Sequence, residues 1–153
     1  MKPLKIAIFE DEFLLANDLK RQIQQYNCEV IAIFRKAEEG LKAFKEINRK
    51  EDLPDVVLMD ISLAGQMNGI EAAKILTAEY NFALVFLTGM SHMEVFERSF
   101  DTKPQAFLIK PFDIQQALGS IKLAVYQKSL EEQLVQCRTE ISELNGRNVG
   151  DLN

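Results

Sequence analysis

Five short apolar runs alternate along the chain with stretches whose apolar residues recur at helical spacing, and this alternation leaves few folds open. The runs are Leu4 to Phe9, Val30 to Phe34, Val56 to Met59, Ala83 to Leu87 and Ala106 to Ile109. Between them, Leu15, Leu19, Ile23 and Tyr26 mark one face of a first helix, and Ala37, Leu41, Phe44 and Ile47 a second. Ile70, Ala73, Leu76 and Tyr80 mark a third, all at the 3.6-residue period of an amphipathic helix. A weaker fourth helix is predicted from Met93 to Phe100, and a long one begins near Asp113. Repeated β-then-α units call for a parallel sheet with helices on both faces. The first, third and fourth runs are almost wholly apolar, as strands buried on both faces must be. Right-handed crossovers then give a doubly wound α/β domain.

Composition narrows the function classes. The chain has 153 residues, 47% hydrophobic and 27% charged, the balance of a globular domain rather than a disordered one. Its net charge of −5 does not suit direct binding of nucleic acid or an anionic membrane. Cys28 and Cys137 are too few for a disulfide framework or a zinc box. No apolar run approaches the roughly 18 residues that span a bilayer. Met1-Lys2-Pro3-Leu4 leads straight into a strand with no visible signal peptide, so a cytoplasmic location is expected.

The last helix is longer than a small domain needs. Nothing interrupts it from Asp113 to Leu144, and Asn145-Gly146 is expected to stop it. At 1.5 Å per residue this is roughly 48 Å of helix. From Leu130 on, Leu134, Cys137, Ile141 and Leu144 follow in steps of 4, 3, 4 and 3, a heptad seam. Gln127 is the polar residue where the seam would extend inward. The division expected is a domain over 1–124, a projecting helix over 125–145 that can pair as a coiled coil, and a flexible tail over 146–153. A helix folded back on its own domain is the competing reading.

Polar residues fall at the carboxyl ends of the strands. The first run ends in Glu10-Asp11-Glu12, the third in Asp60, the fourth in Thr88 and the fifth in Lys110. In an open parallel sheet these ends line one crevice, where ligands bind. Carboxylates gathered there repel one another, and a divalent cation removes the conflict. Mg2+ takes oxygen ligands and keeps several waters, so two or three carboxylates suffice. The lysine and hydroxyl are then free for a phosphoryl group, whose transfer depends on positioning and charge neutralisation. Asp60 is the candidate nucleophile, since a carboxylate can carry a covalent phosphoryl group. Glu12 reads instead as a helix-capping acid, and His92 as an idle exposed side chain.

Ile8-Phe9-Glu10-Asp11-Glu12, Met59-Asp60-Ile61, Phe86-Leu87-Thr88-Gly89 and Leu108-Ile109-Lys110-Pro111-Phe112 together resemble the motif set of receiver domains from two-component response regulators. The resemblance covers residues 4 to about 124. It implies a five-stranded sheet of order 2-1-3-4-5, with Asp60 as phosphoacceptor and Lys110 binding phosphoryl oxygen. It implies Mg2+, with Mn2+ as an alternative, held by Glu10, Asp11, Asp60 and the main-chain carbonyl of Ser62. Thr88 and Phe107 match the switch positions, Lys110–Pro111 is expected to be a cis peptide, and Ser62 and Met90 stand at the two positions that tune phosphoryl lifetime. Three departures stand out. Glu10 replaces the commoner aspartate, Gly89 stands where alanine is usual, and the loop 63–69 is one residue longer than the usual one.

The resemblance implies a signalling phosphoacceptor that catalyses only its own phosphorylation and dephosphorylation. Its expected partners are a sensor histidine kinase or phosphotransfer protein; the heptad seam of the last helix adds a second copy of the chain or a hetero-helical partner. It is expected to touch neither nucleic acid nor membrane directly. An aspartyl phosphohydrolase commonly carries a second acid two residues after its nucleophile, and Ser62 stands there instead. No Gly-rich loop follows the first strand, as a nucleotide-binding fold would require. A receiver-shaped scaffold that is never phosphorylated would not need the full set of acids, acceptor and lysine. The sequence fits either a stand-alone receiver or one cut from an effector domain.

Overall fold

The computed structural model describes residues 1–89 and 97–151. β1 (Leu4–Phe9) leads into α1 (Phe13–Ile23), β2 (Cys28–Phe34) into α2 (Ala37–Lys45), and β3 (Val56–Asp60) into α3 (Gly69–Glu79). β4 (Ala83–Gly89) and β5 (Ala106–Lys110) follow, and α4 (Ile114–Asp151) closes the described chain. The five strands form one parallel sheet of order β2-β1-β3-β4-β5. The chain winds outward in both directions from β1, so the switch point lies between β1 and β3.

Strand alternation divides the core in two. Ala7, Phe9, Val57, Met59, Leu84 and Phe86 face α2 and α3, meeting Phe44, Ile70, Ala73 and Leu76. Ile6, Ile8, Leu58, Val85 and Leu87 face the other way, onto Leu19 and Ile23 of α1 and Ala117, Ile121 and Ala124 of α4. Neighbouring residues on β1, β3 and β4 thus point to opposite cores, and both sets must be apolar. Helix ends are set locally. α3 begins with a capping box in which Asn68 Oδ1 accepts from Glu71 N at 2.9 Å and Glu71 Oε2 accepts from Asn68 N at 3.4 Å. Asp113 and Gln116 form the same reciprocal pair ahead of α4.

The structure corrects several expectations. α1 ends at Ile23, so Tyr26 lies beyond it, half exposed, and Ala16 joins Leu19 and Ile23 in the buried face. Glu12 occupies the N-cap of α1, but its side chain makes no capping hydrogen bond. The last helix does not stop at Asn145-Gly146; it runs on to Asp151. Gly146 does not take the positive φ of a glycine stop. A helical glycine costs about 1 kcal/mol against alanine but does not by itself force a terminus. Nor does the helix fold back: every side chain from 132 to 147 is exposed. Residues 93–96 of the expected fourth helix, with Met90 and His92, lie outside the described residues.

Two contacts fix the direction in which α4 leaves the domain. Glu132 Oε1 accepts from Asn81 Nδ2 at 2.8 Å, and Glu131 Oε2 accepts from Gln105 Nε2 at 3.0 Å. The Gln105 side-chain oxygen also accepts from Leu84 N at 2.6 Å, and the Gln105 backbone N–H donates to the Leu84 carbonyl at 2.9 Å. One glutamine therefore joins the start of β4, the start of β5 and the helix.

Candidate functional site

The ends of β1, β3, β4 and β5 bring distant polar residues to one rim. Phe9 pairs with Met59, which puts Glu10 level with Asp60 across the switch point. Asp60 pairs with Leu87 and Gly89 with Lys110, so Thr88 and Lys110 border the same crevice. Glu10 is fully buried, and Asp60 and Thr88 nearly so.

Lys110 Nζ donates to Glu10 Oε1 and, at 3.1 Å, to Asp60 Oδ2. Asp60 Oδ1 accepts from Ser62 N at 2.9 Å, which pins the carboxylate from its other side. Glu10 Oε2 accepts from Glu12 N at 3.3 Å. Glu10, Asp11 and Asp60 each offer a carboxylate oxygen within 4.8 Å of the others. Burial, followed by the hydrogen bond and charge of Asp60, pushes the Glu10 carboxyl up to about 8, against the smaller pull of Lys110. Burial disfavours the Lys110 ammonium, but the bond to Glu10 and the charges of Asp60 and Glu10 outweigh it, and its pKa is raised. The site thus gathers more negative charge than its one ammonium balances. Hard carboxylate oxygens at this spacing suit a small divalent cation such as Mg2+.

The other expected site residues are placed less directly. The Thr88 hydroxyl donates to the Gly89 carbonyl at 3.1 Å, not to the carboxylates. The half-buried Phe107 ring packs against Phe86, with centroids 5.9 Å apart, and against Phe100 at 5.1 Å. Lys110–Pro111 is a cis peptide. Ser62 is exposed beside Asp60, and Met90 lies outside the described residues.

Sequence reasoning missed two residues that shape the rim. A Cβ on Gly69 would lie 2.0 Å from the Asp60 carbonyl oxygen, so only glycine lets α3 start this close to the phosphoacceptor candidate. The available signal is the Asn68-Gly69 pair ahead of the apolar stripe from Ile70, which can mark a helix start but names no neighbour; sequence reasoning takes the pair only as the end of the long loop. Glu38 of α2 accepts from Met67 N at 3.2 Å and ties down the long loop, where Gly65 takes a φ of 107°.

Comparison with known proteins agrees with this architecture. Residues 6–122 match the response regulator receiver domain profile. The transcriptional regulatory protein PdtaR of Mycobacterium tuberculosis is 30% identical over 123 residues, covering 80% of this chain and 57% of that protein. Sporulation initiation phosphotransferase F of Bacillus subtilis is 27% identical over 129 residues, covering 82% of this chain and 96% of that protein. The chain spans about half the length of most of the curated relatives it matches, such as the 57% of PdtaR. The signal receiver domain of a modulated diguanylate cyclase from Desulfovibrio desulfuricans G20 superposes with a TM-score of 0.75 at 30% identity, covering 84% of this chain and 98% of that one. With a parallel sheet of order 2-1-3-4-5, an acidic rim at its switch point and this match over most of its length, the chain belongs to the family of two-component response regulator receiver domains.

Proposed function

We propose that Asp60 accepts a phosphoryl group from the phosphohistidine of a sensor histidine kinase or phosphotransfer protein, in a Mg2+-dependent reaction. The observation that carries the reading is the position of the Asp60 carboxylate, held between Lys110 and Ser62 N with Glu10 and Asp11 beside it. One carboxylate oxygen attacks phosphorus, the new P–O bond forms, and the P–N bond breaks with its electron pair returning to the imidazole. Glu10, Asp11 and Asp60, with the Ser62 carbonyl, would hold the cation. Bound Mg2+ supplies charge neutralisation to the phosphoryl oxygens. Lys110, kept charged by its carboxylate neighbours, moves from Glu10 and Asp60 toward those oxygens.

The product carries roughly −1.5 to −2 charge and three acceptor oxygens. Thr88 then exchanges the Gly89 carbonyl for a phosphoryl oxygen, and Phe107 turns into the space it leaves. This is a population shift between two states of the face bearing β5 and α4. The chain catalyses only its own phosphorylation and dephosphorylation, and Ser62 and Met90 set how long the group survives. Residues 1–124 act as the receiver. The helix beyond them receives a second copy of the chain. The reading places the chain in the cytoplasm; among the described residues no helix is long and apolar enough to cross a membrane.

Incubation with Mg2+ and a small acyl phosphate, followed by intact mass, tests the proposal. One added phosphoryl group is expected, stable in acid and labile in base. It should be absent in Asp60→Ala and after chelation. No adduct on the wild type, or an undiminished one on Asp60→Ala, would overturn the reading.

A further inference from the structure

The loop that follows Asp60 is held from two sides. On the sheet side, Ser62 N donates to Asp60 Oδ1 at 2.9 Å, and Gly69 N donates to the Ile61 carbonyl at 3.0 Å. Leu63 is buried in the core under α2 and α3, and Met67 packs partly against it. On the α2 side, Lys36 and Ala64 pair as an isolated parallel bridge, and Glu38 Oε1 accepts from Met67 N at 3.2 Å. The same carboxylate lies against the turn at Gly65, where φ is 107° and a Cβ would stand 3.4 Å from Glu38 Oε2. Ala64 also lines a cavity of about 390 Å3 with Asp11, Arg35, Lys36 and Glu39. On that side the loop borders open space, so its ties to the α2 corner carry what packing does not.

We infer that Glu38 is a positioning residue for phosphoryl transfer; this rests on the reading of Asp60 as phosphoacceptor. Each residue added to a loop adds backbone freedom that ordering must remove, and this loop is one residue longer than the usual one. Glu38 anchors its far end from a neighbouring helix. The order passes back along the backbone to Ser62, whose N–H holds the Asp60 carboxylate and whose carbonyl belongs to the proposed cation site. An ionised acceptor makes the bond to Met67 N stronger than a neutral one would. The competing role of Glu38 is electrostatic, since it also lies in the first turn of α2, where an acid favours the helix.

Glu38→Gln and Glu38→Ala separate the two roles. Both remove the charge, and only the glutamine keeps an oxygen for Met67 N. A net hydrogen bond corresponds to about three- to tenfold in an equilibrium. In the full chain with Mg2+ chelated, amide exchange followed by NMR should be about tenfold faster at Met67 and about threefold faster at Ser62 in Glu38→Ala. The Kd for Mg2+ by calorimetry should rise by about three- to tenfold in Glu38→Ala, and phosphorylation by a small acyl phosphate at saturating Mg2+ should slow by a similar factor. Glu38→Gln should restore all of these to within about twofold of the wild type. Equal losses in the two variants would overturn the inference and leave the charge in the first turn of α2 as the whole effect. Faster exchange at Met67 with Ser62 unmoved would overturn it too, because the tie would then stop short of Asp60. A wild type that takes up no phosphoryl group removes the phosphoacceptor reading and the role in transfer with it, while the exchange and Mg2+ measurements show separately whether Glu38 orders the loop.

Discussion

Replacing Gly69 by alanine puts one methyl group where the fold has no room for it. The added Cβ would stand 2.0 Å from the Asp60 carbonyl oxygen, 2.8 Å from its carbonyl carbon and 3.0 Å from Ile61 Cα. Carbon–oxygen contacts come no closer than about 3.3 Å, so backbone must move by roughly 1.3 Å. All three atoms belong to backbone, and no side chain can swing aside. Gly69 N is bonded to the Ile61 carbonyl at 3.0 Å, so the start of α3 cannot retreat without losing that bond. Overpacking of this kind costs about 1–3 kcal/mol, and alanine's better helix propensity returns less than about 1 kcal/mol. A net loss of about 1–2 kcal/mol is expected, read as a lower urea midpoint with unchanged slope. The displaced residue is Asp60 itself. A misplacement near 1 Å can cost about a hundredfold in rate, so phosphorylation by acyl phosphate should slow by up to that factor. The control is Gly119→Ala, where a Cβ meets nothing within 4 Å. It should stabilise α4 by about 0.5–1 kcal/mol and leave the rate unchanged. A Gly69→Ala chain with the wild-type midpoint and rate would refute the argument.

Other perturbations probe the charge balance. With Mg2+ chelated, the folded state keeps a proton on Glu10 between its ordinary 4.5 and about 8, while the unfolded chain releases it. Stability should therefore fall as pH rises through that window, by at most about 1.4 kcal/mol per unit. Urea midpoints at pH 5 and 8 should show this slope in the wild type and not in Glu10→Gln; an equal slope in both would exclude Glu10 as its source. Because the cation needs the ionised carboxylate, Mg2+ affinity measured by calorimetry should rise by up to about tenfold per pH unit as pH approaches 8, with proton release. A flat affinity would contradict the raised pKa. Lys110→Met leaves Glu10 and Asp60 facing each other without an ammonium, at a cost of about 3 kcal/mol. Saturating Mg2+ should recover much of that loss; a loss indifferent to Mg2+ would point to packing instead of charge.

What could be read from the sequence was what depends on pattern. Strands buried on both faces must be apolar, and Ile6 to Phe9 or Leu84 to Leu87 could be little else. Glu10, Asp60 and Lys110 stood out because a polar residue at the end of such a run has only the sheet rim to occupy. What escaped depends on neighbours that no local pattern encodes. The approach of Gly69 to Asp60 exists only once α3 has packed. Leu15 and Tyr26 were expected on the buried face of α1, but Leu15 is only partly buried and the helix ends at Ile23, short of Tyr26. Gly146 was a reasonable stop by composition, yet helical hydrogen bonds persist through it. The Thr88 hydroxyl points by rotamer choice, which spacing does not reveal.

The glutamine that joins two strands to the last helix has a mechanical consequence. Gln105 sits at the fulcrum of a rigid rod whose free arm, from Glu132 to Asp151, is roughly 30 Å long. A tilt of about 5° at that fulcrum sweeps the far end through roughly 2.6 Å. Shifts too small to notice at the sheet thus arrive at the tip as displacements comparable to half a helical turn, amplified by leverage alone.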